Sequence, residues 1–300
     1  TMNTPRIRIG TAPISWGACE IPNWGDQLPY AQVLDEMAAS GYEGTELGPW
    51  SYLPADPTTL RRELGTRRLS LVGAFCPVTL HDRDRSAASL QTARETVNLL
   101  AAAGAPVLVL ADAGDERRAA IAGRVPADGS SGFSHGEWRR FSDGVNTVAR
   151  YARERGLVTA FHPHVASYVE RPEESDTDPT LVGLCLDTGH IAYGGGDPVE
   201  IARTHGHRVR HVHLKDLRRE VRADALARHL DFRDAVSLGV FAPLGDGSLD
   251  LRGTLSVLRA ADYAGWLIVE QDVRLGVSPI AAPLRDAKRS RSYLTEVLAA

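Results

Sequence analysis

Val182-Gly-Leu-Cys-Leu-Asp187-Thr-Gly-His190 and, further on, Val209-Arg-His211-Val-His213-Leu-Lys215-Asp216 are short apolar runs that both end in ionisable side chains. Runs of this length bounded by turn residues read as buried strands. Working outward, similar runs recur at Ile7–Ala12, Gly44–Leu47, Ser70–Phe75, Pro106–Leu110 and Val158–His162, and again at Trp266–Glu270. Between them, stretches such as Tyr30–Ser40, Ser86–Ala103 and Glu137–Arg155 carry helical spacing, and a last helix is expected over Pro283–Leu298. Eight strands alternating with helices imply parallel βαβ units, and eight is the number that closes a barrel. The expectation is a single (β/α)8 barrel spanning residues 1–300 as one domain. A doubly wound open sheet is the alternative; no G-x-G-x-x-G turn follows the first strand to support it. Only Arg171–Asp178 is available for a helix between the fifth and sixth strands. The connection Arg218–Asp250, with its turn-rich Phe241-Ala-Pro-Leu-Gly-Asp-Gly247, is expected to cover the barrel mouth.

The chain of 300 residues is 43% hydrophobic, enough for one large core. Its net charge of −4 offers no basic face for nucleic acid. No apolar run approaches the ~20 residues of a membrane span, and no charged-then-apolar leader opens the chain. Thr1, ahead of Met2, is expected to be a cloning remnant. Cys19, Cys76 and Cys185 are scattered and odd in number, without metal-finger spacing, which reads as a reduced, cytoplasmic protein. Lys215 and Lys288 are the only lysines, against 32 arginines, so a lysine inside a motif stands out.

Ionisable residues gather where strands end: Glu46 after the second, His162 and His164 after the fifth, Asp187 and His190 after the sixth. His211, His213, Lys215 and Asp216 end the seventh, and Glu270 and Asp272 the eighth. Taken singly, each could be a cap or a solvated loop residue. In a barrel these ends converge on one face, which makes a shared site the better account of all of them. Asp, His and Glu without nearby cysteine suit a borderline or hard ion, Mn²⁺, Co²⁺ or Mg²⁺, with Zn²⁺ less well matched. Alternation puts His211, His213 and Lys215 on one strand face, expected to point inward because Val212 and Leu214 suit the layer under the helices. Glu43 and Glu46 fall on opposite faces, leaving Glu46 the better pocket residue. Trp16 and Trp50 could wall a flat ring, although packing is the commoner fate of tryptophan. Cys185, inside a strand, reads as a buried apolar residue.

With these motifs assembled, the chain resembles the xylose-isomerase-like TIM-barrel superfamily of sugar isomerases and epimerases, and within it the inosose (2-keto-myo-inositol) dehydratases. The likeness runs from Gly10-Thr-Ala-Pro-Ile-Ser-Trp-Gly17 and Gly41-Tyr-Glu-Gly-Thr-Glu-Leu-Gly-Pro-Trp50 through His162-Pro-His164 and Leu184-Cys-Leu-Asp-Thr-Gly-His190. It continues to His211-Val-His-Leu-Lys-Asp216, Pro243-Leu-Gly-Asp-Gly247 and Val269-Glu-Gln-Asp272. The resemblance implies one divalent ion held by Asp187, His213, Glu270 and a fourth ligand. Sugar epimerases of the superfamily carry Glu-Pro where this chain has His162-Pro163; Glu170 stands where the dehydratase-like pattern often has an acid, so the resemblance implies Glu170 as the fourth ligand, with His162 as its rival. It also implies loss of water from a cyclic polyol ketone to a trihydroxycyclohexane-dione, in inositol catabolism. Lys215, His190, His162 and His164 are then the proton-moving candidates, and Trp16, Glu46, Trp50 and His211 the substrate contacts.

The nearest rival is a metal-dependent ketose or inosose isomerase or epimerase, which shares proton abstraction next to a ketone. A lyase acting on 3-keto-glycosides is a further relative. A non-catalytic polyol-binding barrel would not need its strand-end ligands intact, and an endonuclease-type relative would need several metals and a basic face. The expected partner is a small polyol ketone, with no nucleic acid and no membrane; a homo-oligomer is compatible with all of this.

Overall fold

The computed structural model describes residues 7–170 and 180–299. Eight parallel strands form the barrel: β1 (Arg8–Thr11), β2 (Gly44–Glu46), β3 (Ser70–Val78), β4 (Val107–Asp112), β5 (Val158–Phe161), β6 (Val182–Asp187), β7 (Val209–Leu214) and β10 (Trp266–Val269). The other two strands, β8 (Asp216–Leu217) and β9 (Phe241–Ala242), make a small antiparallel ribbon. Around the barrel the order is β1-β10-β7-β6-β5-β4-β3-β2, closed on itself. The expected closed (β/α)8 architecture is therefore the observed one. The short helix expected over Arg171–Asp178 lies outside the described residues.

All six residues of β4 are buried, as parallel strands sandwiched between barrel interior and helices require. The outer helices start and stop where their termini are chemically satisfied. His135–Arg153 opens on a capping box in which Ser134 and Glu137 serve each other's backbone N–H groups, and Ser86–Ala103 ends on Gly104 in the left-handed region. Where β1 crosses close to β2, a Cβ at Gly10 would lie 2.9 Å from the Gly44 carbonyl oxygen, so only glycine fits.

The main core lies between barrel and helices. A second apolar cluster, with Trp24, Ala122, Val165, Tyr193, Phe232 and Phe241 among its members, gathers around the C-terminal strand ends. Part of it comes from the connection expected to cover the mouth, which folds into helices Arg219–Ala227 and Phe232–Ser237. Asp216, Leu217 and the Pro243–Gly247 turn anchor this layer. The Asp216 carboxylate accepts hydrogen bonds from the N–H groups of Leu217, Gly245, Gly247 and Leu249.

Candidate active site at the barrel mouth

Parallel register brings three side chains to one height. Asp187 pairs with His213 across β6 and β7, Ile268 pairs with His213 across β7 and β10, and Glu270 follows the end of β10. One ligand atom from each of Asp187, His213 and Glu270 lies within 4.8 Å of the others, and all three residues are buried. His213 Nδ1 is 3.1 Å from Glu270 Oε2 and 3.5 Å from Asp187 Oδ2, yet has no hydrogen-bond partner. On the other side of the ring, Nε2 lies 2.9 Å from Glu46 Oε1. A carboxylate only accepts, so Nε2 donates there. Burial disfavours the imidazolium, but Cys185, Glu270 and Glu46 outweigh it and raise His213 well above its ordinary range, and a divalent ion beside Asp187 and Glu270 would displace the Nδ1 proton. An outer carboxylate orients a metal-binding imidazole in this way.

His162 carries a second signal of the same kind. Its Nδ1 is 2.8 Å from the Pro163 carbonyl, which can only accept, so Nδ1 bears the hydrogen. Its Nε2 then faces Asp187 Oδ2, 3.3 Å away. Asp187 Oδ2 is thus shared by His162 Nε2, His213 Nδ1 and the Lys215 ammonium, a buried gathering of ligand atoms around one carboxylate. The donor set of Asp187, His213 and Glu270, with His162 alongside, fits one divalent ion.

Glu170 is elsewhere. Its two carboxylate oxygens accept from the N–H groups of Gly123 and Ala166, and Arg118 lies 4.0 Å away. The ligand clusters among the described residues do not include it. The expected fourth ligand therefore ties down the loop after β4, and its rival His162 stands at the carboxylates.

Lys215 is buried among the acids, with Nζ 2.8 Å from Glu270, 3.0 Å from Asp187 and 3.2 Å from Asp272. Burial favours losing the proton, but the charges of Asp187, Asp272 and Glu270 outweigh it and hold the ammonium form well above its ordinary range. Thr188 Oγ1 clamps the Lys215 backbone, accepting from its N–H and donating to its carbonyl. Gly189 presses on the stem: a Cβ there would fall 2.5 Å from Lys215 Cβ. The Asp-Thr-Gly sequence after β6 thus positions the lysine as well as supplying a carboxylate.

His164 and His190 stack with ring centroids 3.9 Å apart, and the backbone gives them opposite tautomers. His164 Nδ1 donates to the Val165 carbonyl, leaving a lone pair on Nε2. His190 Nδ1 accepts from the Val165 N–H, leaving the hydrogen on a buried Nε2 that lacks a partner and sits 4.0 Å from Asp272. Burial pushes His164 down to about 3, helped by His162 and Lys215, so it stays neutral. Asp272 is raised to about 6, chiefly by burial, with Lys215 pulling it back and Glu270 and Asp187 adding to the rise.

A cavity of about 720 Å³ opens over these groups. Glu46, His164, His213, Lys215, Glu270 and Asp272 are on its wall. The other expected contacts are placed differently. Trp16 is fully buried and its Nε1 donates to Glu36 on the helix Tyr30–Ala39, so it packs outside the cavity wall. Trp50 is 44% exposed and the cavity lining is supplied by its neighbours Gly48 and Pro49. His211 is buried beneath the wall, 2.6 Å from Glu46 Oε1, and Glu46 is itself taken up by both histidines. The aromatic lining comes from Trp24, Phe75 and Phe232, and acids not singled out from the sequence, Glu20, Asp112, Asp115, Glu116 and Asp231, reach the cavity too. Asp112 is the last residue of β4, two beyond the strand end expected from sequence. The strand-end pattern would have found it had that boundary been right. Trp24 and Glu20 lie in the loop after β1 and carry no periodic signal.

Fold and site together define a parallel (β/α)8 barrel with a candidate divalent-ion centre at the C-terminal ends of its strands. Residues 34–297 match the family described as xylose isomerase-like TIM barrel, and the chain belongs to that family. It is 36% identical over 302 residues to the inosose dehydratase of Geobacillus kaustophilus (strain HTA426), covering 97% of this chain and 95% of that protein. The inosose dehydratase of Clostridium botulinum (strain Alaska E43 / Type E3) is 32% identical over 305 residues, covering 98% of each. Among solved structures, the IOLI protein with a binding zinc atom superposes with a TM-score of 0.71 at 15% identity, covering 98% of both chains. L-ribulose 3-epimerase gives 0.70 at 15% identity, covering 98% of this chain and 95% of the other. At those identities the structures speak for the fold alone. Among the described residues no helix is long and apolar enough to cross a membrane.

Proposed function

We propose that this chain is a hydro-lyase of the inosose dehydratase type, removing water from 2-keto-myo-inositol to give a trihydroxycyclohexane-1,2-dione in inositol catabolism. The observation that carries the reading is the likeness to inosose dehydratases along nearly the whole chain, with the strand-end ligand set intact. Asp187, His213, Glu270 and His162 would hold one divalent ion. Oxygen and imidazole donors favour Mn²⁺ or Co²⁺, with Mg²⁺ and Zn²⁺ also accommodated; Cys185 Sγ lies within 4.8 Å of His162 and His213 ligand atoms, but burial pushes its thiol up and keeps it protonated. When bound, the ion supplies Lewis-acid stabilisation of the charge that develops when a proton leaves the carbon beside a ketone.

The chain's own groups divide the remaining work. A proton must leave the carbon next to the ketone, and the hydroxyl on the carbon beyond must depart as water, taking up a proton as its C–O bond breaks. Lys215 and Asp272 share the cavity wall beside Glu270 and are assigned as the proton-moving pair. Lys215 takes the proton once its carboxylates are engaged elsewhere, and Asp272, raised toward neutrality, supplies one to the leaving hydroxyl. His164 offers a lone pair and His190 an N–H, suited to orienting substrate hydroxyls. Glu46 holds His213 and His211 in place. The covering layer around Trp24 and Phe232 limits access of water. Unpaired cysteines suit a reducing, cytoplasmic setting.

The test is incubation of the metal-loaded protein with 2-keto-myo-inositol, followed by ultraviolet absorbance and NMR of the product. A conjugated enol absorbance with loss of one water per ketone is expected. A product that is only an epimer of the starting ketone would assign the chain to the isomerases instead.

A further inference from the structure

The cavity is larger than that reaction needs. A six-membered polyol ketone has about a dozen non-hydrogen atoms. Even at the share a water takes in the liquid, roughly 30 Å³ per atom, it fills less than about 360 Å³. The cavity offers about 720 Å³.

The barrel's circular order locates the surplus. Counting round it, β4 stands four places from β10, so the loop after β4 starts across the mouth from Glu270. That loop lines the cavity with Ala113, Asp115, Glu116, Ala119 and Ala120, following Asp112. Three of its residues are alanines, which leave space. From the metal side Trp24, donating to the Val273 carbonyl, and Phe232, packed near His164 and His190, add flat apolar faces to the same cavity. Alanine methyls with a few carboxylate acceptors on the β4 side match the C–H faces and hydroxyls of a sugar ring. The charge on that side points the same way: Asp112, Asp115 and Glu116 line it, and no lysine or arginine of that loop is on the lining. A phosphate would be repelled there and a neutral group would not.

We infer that the far half of the cavity is a second subsite, which takes a neutral glycosyl substituent carried on the polyol ring. The substrate class thereby widens from free polyol ketones to their O-glycosides, with phosphate esters excluded. The inference rests on the proposed reading of the metal-side half as the polyol site.

Calorimetric titration of the metal-loaded protein tests it, with myo-inositol, 1-O-α-D-galactopyranosyl-myo-inositol and myo-inositol 1-phosphate as probes. The galactosyl compound is expected to bind at least fivefold more tightly than myo-inositol, and the phosphate no more tightly. Ala120 and Ala113 are exposed, so Ala120→Trp and Ala113→Leu fill the far half with little threat to the fold. Each is expected to abolish the galactosyl advantage while leaving myo-inositol within twofold. Myo-inositol binding with no gain from the galactosyl group would overturn the second subsite alone, as would variants that weaken both ligands equally. Failure of all three probes to bind would count against the polyol reading, and this inference would fall with it.

Discussion

At the scale of single residues, the fourth ligand separates what a sequence shows from what a fold decides. His162 and Glu170 are both plausible donors in the chain as written. Only the fold shows that Glu170 accepts from Gly123 and Ala166, whereas His162 turns Nε2 onto Asp187. His162→Ala is therefore expected to weaken Mn²⁺ affinity at least tenfold, and Glu170→Ala by less than threefold while lowering stability. Metal titration followed by electron paramagnetic resonance checks the ranking, and the reverse order would restore Glu170 to the ion. Asp112 gives a pH signature. Burial pushes its carboxyl up to about 6 from an ordinary 3.8, against the pull of the Tyr168 and Gly114 N–H groups. Between those values the folded chain keeps a proton that the unfolded chain has released. This contribution to stability is therefore present below about pH 4 and is lost as pH rises through about 6. Asp112→Asn should remove that loss and gain about 1–3 kcal/mol at pH 7 relative to pH 4. Urea unfolding across that range reads it directly, and parallel pH curves for the two proteins would rule it out. Glu46 marks a limit of another kind. Its position at a strand end is legible, but its capture by His211 and His213 depends on contacts across the barrel that spacing does not encode.

Elements were the most legible level. β6 and β7 have the bounds read from their apolar runs, as does the helix Ser86–Ala103, because a buried parallel strand and an amphipathic helix leave distinct patterns. Where the chain is polar and turn-rich the pattern thins. The helices Arg219–Ala227 and Phe232–Ser237 read as loop from sequence, and the aromatic lining was assigned to Trp16 and Trp50 when Trp24 and Phe232 provide it. The anchor of the covering layer is a single carboxylate. Asp216 is buried and accepts four backbone N–H groups, and a Cβ at Gly247 would fall within 2.1 Å of its Oδ1. Asp216→Ala leaves those donors without their acceptor and should cost about 2–4 kcal/mol in urea unfolding. Because Lys215 is its neighbour, kcat should fall as well. Asp216→Asn, which keeps a carbonyl acceptor, should recover part of both. Loss of activity with unchanged stability would mean that the carboxylate acts on chemistry rather than on the anchor.

At the scale of the whole molecule, closure of the barrel converts eight separate strand ends into one site. Side chains as distant in sequence as Glu46 and Glu270 meet there because β2 and β10 flank β1, and the candidate ion site proposed above draws on β6, β7 and β10 with His162 directly after β5. This convergence is why strand-end residues could be read as one constellation before any coordinates, and why partners across the barrel could not. The account stands on the ion. Protein stripped with chelator and verified metal-free by elemental analysis should lose more than 99% of its dehydration of 2-keto-myo-inositol. One equivalent of Mn²⁺ or Co²⁺ should restore it, and Asp187→Asn and His213→Ala proteins should fail to recover under the same loading. Full turnover in the verified metal-free protein would contradict it.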